Sequence, residues 1–145
     1  MVVFYRGAWC PYCNLVLRAY QEDLLPDLQA RGVALIAISP QKPDGALTMQ
    51  ESNELGYAVL SDPGNQLSGP LGILTATGPE AEAVVAGQLG IDVAATNADG
   101  TGAIPMPTVV LVDSDGAIRW IDVHPDYGTR TEVDDILKQV AQLGN

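Results

Sequence analysis

The chain has 145 residues, 47% hydrophobic and 17% charged, with a formal net charge of −11. That balance excludes a disordered chain and fits a single α/β domain over residues 1–145, with a core that needs no metal or disulfide staple. With only two lysines, Lys42 and Lys138, the chain lacks the clustered cations that nucleic acid or an anionic membrane requires. No apolar stretch approaches membrane-spanning length, and two cysteines are too few for a secreted disulfide scaffold, so the cytoplasm is the expected compartment.

Val2-Val3-Phe4-Tyr5 is a continuous apolar run of β-formers, the pattern of a central strand buried on both faces. Arg6-Gly7-Ala8 turns from it into Trp9-Cys10-Pro11-Tyr12-Cys13. There a helical pattern opens, expected from about Pro11 to Ala30, kinked at Pro26 and closed by Gly32. Val33 to Ile38 reads as a second buried strand, giving a βαβ unit with a right-handed crossover. Asp44 is the expected N-cap of a short helix running to about Leu55, and Tyr57 to Leu60 a short strand before the turn residues Ser61-Asp62-Pro63-Gly64.

Between Asn65 and Gly90 the signal softens. Leu67, Leu71 and Leu74 are spaced like one helix face, and the alanine- and glutamate-rich run from Pro79 to Leu89 is expected to be helical. Asn97 to Gly102 is a loop. Thr108 to Val112 and Ile118 to Val123 form a hairpin across the turn Asp113-Ser114-Asp115-Gly116. After the loop that begins at His124, Thr131, Glu132 and Asp134 start a last helix through Ile136, Leu137 and Val140.

The two cysteines, placed on a strand-to-helix junction as Cys-x-x-Cys, are the sequence sign of a thioredoxin-like redox site. Cys10 falls near the N-cap with Pro11 at the first helical position, where a missing N–H costs little. The unpaired helix N–H groups and the dipole favour a thiolate at Cys10, and Cys13 lies one turn on, within disulfide reach. On this reading Cys10 attacks and Cys13 resolves. Structural zinc would need four ligands where the chain offers one pair and one histidine, His124, and covalent haem would need a histidine where Asn14 stands. Two inert buried cysteines are the remaining alternative. No metal, flavin or nucleotide is implied.

The element order and several motifs together resemble the alkyl hydroperoxide reductase / thiol-specific antioxidant family, in its peroxiredoxin-like redoxin branch. They are Val2 to Asn14, Ile38-Ser39-Pro40, Leu60-Ser61-Asp62, Met106-Pro107-Thr108 before a Val-Asp-x-Asp-Gly hairpin, and His124-Pro125-Asp126-Tyr127. The resemblance covers nearly the whole chain. It implies a thioredoxin-like fold: a central mixed β-sheet flanked by helices, an insertion before the C-terminal hairpin, and that hairpin antiparallel to the first two strands. It places Met106-Pro107-Thr108 where a cis-proline faces the cysteine pair, making Pro107 a wall of the substrate groove beside Thr108; an ordinary trans proline at a strand start is the alternative. Trp9, Pro11, Tyr12 and Arg6 complete the expected site, with Trp9 as its shield or plain packing. His124 is expected to serve the loop.

The chain departs from the family's Pro-x-x-x-Thr-x-x-Cys motif. Aligned on Phe4-Tyr5, the motif falls on Arg6, Cys10 and Cys13, which matches Cys13, not Cys10, to the peroxidatic cysteine. The family's activating strand arginine corresponds to Pro107, leaving Arg6 as the candidate charge. The family's usual N-terminal segment is absent ahead of Val2, as in a shortened member or a fragment. The implied function is a peroxiredoxin-like antioxidant oxidoreductase, in which a Cys10/Cys13 pair reduces a peroxide or a disulfide. Thioredoxin or glutathione would recycle it as external thiol donor, and homodimers are common in the wider family. A thioredoxin-like disulfide reductase is the nearest rival, glutaredoxin a minor branch, and a non-enzymatic redox-sensing module the reading furthest from an enzyme.

Overall fold

Alternation along the first strand sets the layers of the molecule. In β1 (Val2–Phe4) and the residue after it, Val3 and Tyr5 are buried on one side while Phe4 is buried on the other. β2 (Ile36–Ser39) pairs parallel to β1, and β3 (Ala58–Ser61) parallel to β2. β6 (Thr108–Val112) lies antiparallel on the other side of β1, followed by its hairpin partner β7 (Ile118–Val123). The order β3-β2-β1-β6-β7 is therefore a mixed, five-stranded, thioredoxin-like sheet with the apolar N-terminal run at its centre. This computed structural model describes residues 1–76 and 79–143. Among them no helix is long and apolar enough to cross a membrane.

The larger core lies on the Val3 and Tyr5 face, where Leu17, Tyr20, Leu24 and Leu28 meet Ala37, Val109, Leu111, Ile136 and Val140. Both cysteines belong to this cluster. On the other face Phe4, Ile38 and Val110 pack with Ile73. Burying each of the Val, Leu, Ile and Phe side chains among these stabilises the fold by roughly 1.5–3 kcal/mol.

The long first helix forms in three parts. α1 (Pro11–Ala19) runs into a π-helical turn at Tyr20–Leu24, and α2 (Leu25–Ala30) completes it. Pro26 has no N–H to return to Glu22, and the Leu25 N–H reaches back to Tyr20 O, so the expected kink takes the form of a π-turn. That turn aims Tyr20 inward, and its hydroxyl donates to Thr131 O at 2.6 Å, a bond worth about 1 kcal/mol that ties the helix to the loop before α6 (Val133–Leu143).

Several expectations need correction. The second strand begins at Ile36 rather than Val33, because Val33 N–H caps the preceding helix on Leu28 O. The helix α3 (Pro43–Ser52) has Lys42 at its N-cap, which leaves Asp44 in the first turn. Proline at the first helical position sets that start one residue before the aspartate. Leu67, Leu71 and Leu74 do not share a helix: Gly69–Leu71 is a single 3-10 turn, Gly72 turns left-handed at φ 71°, and Leu74 enters β4 (Leu74–Ala76). β4 pairs antiparallel with β5 (Ala103–Pro105) as a separate ribbon. The helix expected over Pro79–Leu89 is present as α4, and a one-turn helix α5 (Val93–Thr96) follows, capped by the Asp92 side chain.

No cis peptide bond occurs among the described residues, so the Met106–Pro107 bond is trans. The chain passes straight from β5 to β6 there: Met106 N–H donates to Ile73 O, and Pro107 O accepts from His124 N–H. Pro107 thus sits where its missing N–H costs the sheet nothing, the role of an ordinary strand-start proline.

Candidate active site

The strand-to-helix junction puts Cys10 at the N-cap of α1, with φ −86° and ψ 115°, and Pro11 at the first helical position. No side chain caps the helix there. The backbone of the junction is held from two sides. Gln41 Oε1 accepts Ala8 N–H at 2.8 Å, and Asn14 Nδ2 donates to Ala8 O and Cys10 O at 2.8 and 2.9 Å. Asn14 is oriented in turn by Asn53, and Asn53 by Arg18. Gly7 is required by closeness: a Cβ on it would lie 2.7 Å from Cδ1 of the Trp9 indole.

Cys10 is 1% exposed and Cys13 0%, one turn further into the core. Their chemistry is unequal. The Cys13 thiol donates to the Cys10 sulfur, and with the Cys13 backbone N–H and the charges of Arg6 and Arg130 it lowers the Cys10 pKa to about 6 against the opposing effect of burial. Burial pushes the Cys13 thiol up, and the bond and charge of Cys10 hold its proton further, with Arg130 only partly offsetting them. The surroundings thus favour the thiolate at Cys10 and the protonated thiol at Cys13.

Two guanidinium groups face the sulfurs. Arg6 Nη1 lies 3.9 Å from Cys10 Sγ. Arg130 Nη2 donates to Cys13 Sγ at 3.3 Å and to Cys10 Sγ at 3.7 Å. Arg130 comes from the loop between β7 and α6, and the sequence reading missed it. Its one local signal is that it is among only five arginines, in a loop whose His-Pro-Asp-Tyr start is itself one of the family-like motifs. The charge assigned to Arg6 alone is therefore shared.

Cys10, and not Cys13, opens onto a groove of about 350 Å³. Its walls include Arg6, Trp9, Pro11, Tyr12 and Tyr127, together with Leu89 of α4. The Arg6 guanidinium stacks between Trp9 and Tyr127, 4.9 and 4.7 Å from the two ring centroids, so the expected Trp9 and Arg6 act as one wall. Tyr12 and Tyr127 meet at 6.3 Å and are about half exposed. Pro107 and Thr108 do not line this groove; they border a separate small cavity with Tyr20 and Arg130. Thr108 is buried, and its hydroxyl donates to Met106 O. His124 stays with its loop, bonded to Asp122 and Thr129. A larger recess, of about 610 Å³, lies by Met1, Val33 and Leu111, at the start of β1, whereas the cysteines follow its end.

Residues 1–121 match the family described as the AhpC/TSA family. No curated protein matches the chain. Among solved structures, a cysteine-to-serine mutant of peroxiredoxin 6 of Arenicola marina is similar at 15% identity and a TM-score of 0.69, covering 99% of this chain and 60% of its own. The chain thus spans less than two thirds of that protein. Reduced Prx3 of Vibrio vulnificus in complex with hydrogen peroxide is 17% identical, with a TM-score of 0.73, over 96% of this chain and 77% of that one. AhpC of Mycobacterium tuberculosis is 16% identical, with a TM-score of 0.72, over 99% and 68%. At such identities the likeness is one of fold, and it bears out the expected thioredoxin-like architecture.

Proposed function

The chain belongs to the AhpC/TSA family, and from that membership we propose that it is a peroxiredoxin-like thiol oxidoreductase whose Cys10 thiolate attacks a peroxide. The observation that carries the reading is that Cys10 lines the groove while its sulfur lies 3.9 Å from the Arg6 guanidinium and 3.7 Å from that of Arg130. The thiolate attacks one peroxide oxygen, the O–O bond breaks, and Cys10 becomes a sulfenic acid while the other oxygen leaves as hydroxide or alkoxide and takes up a proton. Arg6 and Arg130 are placed to stabilise the negative charge as it moves off sulfur. The Cys13 sulfur then attacks Cys10, water leaves, and a Cys10–Cys13 disulfide closes. An external dithiol such as thioredoxin, or two molecules of glutathione, returns both cysteines to thiols by exchange. A site that works from free thiols suits a reducing compartment such as the cytoplasm.

This assignment makes Cys10 the attacking residue, as the helix N-terminus argument has it, although the family's motif aligns with Cys13. Support comes from access and ionisation together: Cys10 lines the groove and Cys13 does not, and burial keeps the Cys13 proton on. A second reading is favoured by one specific feature. The exposed rings of Tyr12 and Tyr127 beside the groove offer a flat apolar rim to a polypeptide, as a disulfide reductase would use.

The ionisation is directly testable. In the reduced protein, alkylation of Cys10 by iodoacetamide should rise about tenfold per pH unit at low pH, with a midpoint near pH 6, and level off above it. Cys13 should stay unmodified in the folded state. A profile still climbing at pH 8, or labelling that falls first on Cys13, would remove Cys10 from the attacking role.

A further inference from the structure

We propose that Asp122, His124 and Thr131 are positioning residues, which clasp the 124–131 loop so that Arg130 is held against both cysteine sulfurs. The inference rests on the reading that Cys10 and Cys13 are the reacting pair. The match to the family ends at residue 121, so these residues are assigned here from their own geometry.

A single carboxylate oxygen joins the two ends of the loop. Asp122, near the end of β7, accepts at Oδ2 from His124 Nε2–H and from the Thr131 hydroxyl, each at 2.9 Å. The His124 ring reaches further along the loop, with Nδ1 2.7 Å from Thr129 Oγ1. Thr129 in turn donates its backbone N–H to Asp126 O at 3.0 Å, and its Oγ1 lies 2.9 Å from the same carbonyl. The base of the clasp is anchored on both sides: His124 N–H donates to Pro107 O, just ahead of β6, and the Tyr20 hydroxyl donates to Thr131 O.

Arg130 is thereby flanked by two threonines that are both tied down. Its Nη1 is used locally, on the carbonyls of Tyr127 and Thr129, and its Nη2 is the atom presented to Cys10 and Cys13. An arginine side chain carries large rotamer freedom, and fixing its backbone and one end of its guanidinium beforehand leaves little to order during reaction. The same loop carries Tyr127 over the Arg6 guanidinium. Loosening the clasp would therefore withdraw Arg130 from the two sulfurs and Tyr127 from the groove wall together.

The test is a double-mutant cycle read by iodoacetamide alkylation of Cys10 at pH 6 and by single-turnover oxidation with hydrogen peroxide. Asp122→Asn and Thr131→Val are each made in the parent and in an Arg130→Met background. Two clasp variants are used so that one failing to fold leaves the other to decide. If the clasp acts through Arg130, each clasp variant slows alkylation about threefold or more in the parent and has almost no further effect once Arg130 is gone. Equal slowing in both backgrounds, or none in the parent, overturns the inference, because a general loss of structure acts with or without Arg130. If peroxide oxidises the parent no faster than a free thiol while the alkylation cycle keeps its predicted form, the peroxidase reading falls and the clasp stands.

Discussion

Replacing Cys10 by serine should slow oxidation by hydrogen peroxide about 10⁴-fold or more, the scale on which removal of a catalytic nucleophile is felt. The remaining thiol, Cys13, does not line the groove and holds its proton, so it has neither access nor charge with which to take over. Cys13→Ser should behave in the opposite way. The serine hydroxyl can still donate to the Cys10 sulfur, the first step survives, and the sulfenic acid has no partner to condense with. It should accumulate, be trapped by dimedone, and pass to sulfinic acid in excess peroxide. Cys13→Ala separates the two roles of that residue. Without the donor, the Cys10 pKa loses its largest lowering influence and climbs from about 6 toward the ordinary thiol value. At pH 6 the thiolate fraction then falls by up to about a hundredfold. Mass spectrometry of dimedone adducts distinguishes the variants. Dimedone labelling of Cys13 in the Cys10→Ser protein would contradict this division of labour.

The second large effect is expected at Arg130. In Arg130→Met the apolar side chain keeps much of the buried volume and removes the charge from both sulfurs. Alkylation at pH 6 should slow only about threefold to tenfold, since the bond from Cys13 and the Arg6 charge still favour the thiolate. Peroxide oxidation should slow more, by about 10²–10³-fold, because a fixed donor aimed at developing charge is worth that much in a transition state. Arg130→Lys should recover part of the loss, as a point charge without the planar fork that contacts both sulfurs. The split between alkylation and oxidation is the informative quantity. Equal losses in both reactions would mean that Arg130 acts on ionisation alone.

These expectations show where the sequence speaks and where it is silent. The redox pair, the strand before it and the helix after it were legible because their signals are local: an apolar run, a proline at the first helical position, and two cysteines a turn apart. The C-terminal hairpin was legible for the same reason, with Asp113-Ser114-Asp115-Gly116 supplying the turn. Arg130 was not, because it lies 120 residues from Cys10 and 117 from Cys13, and no local pattern links them. The peroxiredoxin pattern drew attention to Pro107 as the missing strand arginine, whereas the charge arrives from a loop beyond the sheet. Leu67, Leu71 and Leu74 misled for a different reason. Their spacing suits a helix, but Gly69, Pro70 and Gly72 break the backbone between them, and breakers outweigh periodicity over so short a span. Pro107 in turn shows that a motif can carry a position without its expected peptide geometry.

Ionisation alone gives Cys10 a limited advantage, and the central test begins from that limit. A free thiol with a pKa of about 8.5 is roughly 3% thiolate at pH 7, so full ionisation would speed its reaction about thirtyfold. The decisive measurement is single-turnover oxidation of the reduced wild-type protein by hydrogen peroxide at pH 7, followed by the fluorescence of Trp9, which borders the Cys10 groove, and Trp120. The account predicts a rate well beyond that thirtyfold advantage over a free thiol, ending in an intramolecular Cys10–Cys13 disulfide. A rate within the thirtyfold, together with fast reduction of a protein disulfide substrate, would contradict it and make the chain a disulfide reductase on a peroxiredoxin-like fold.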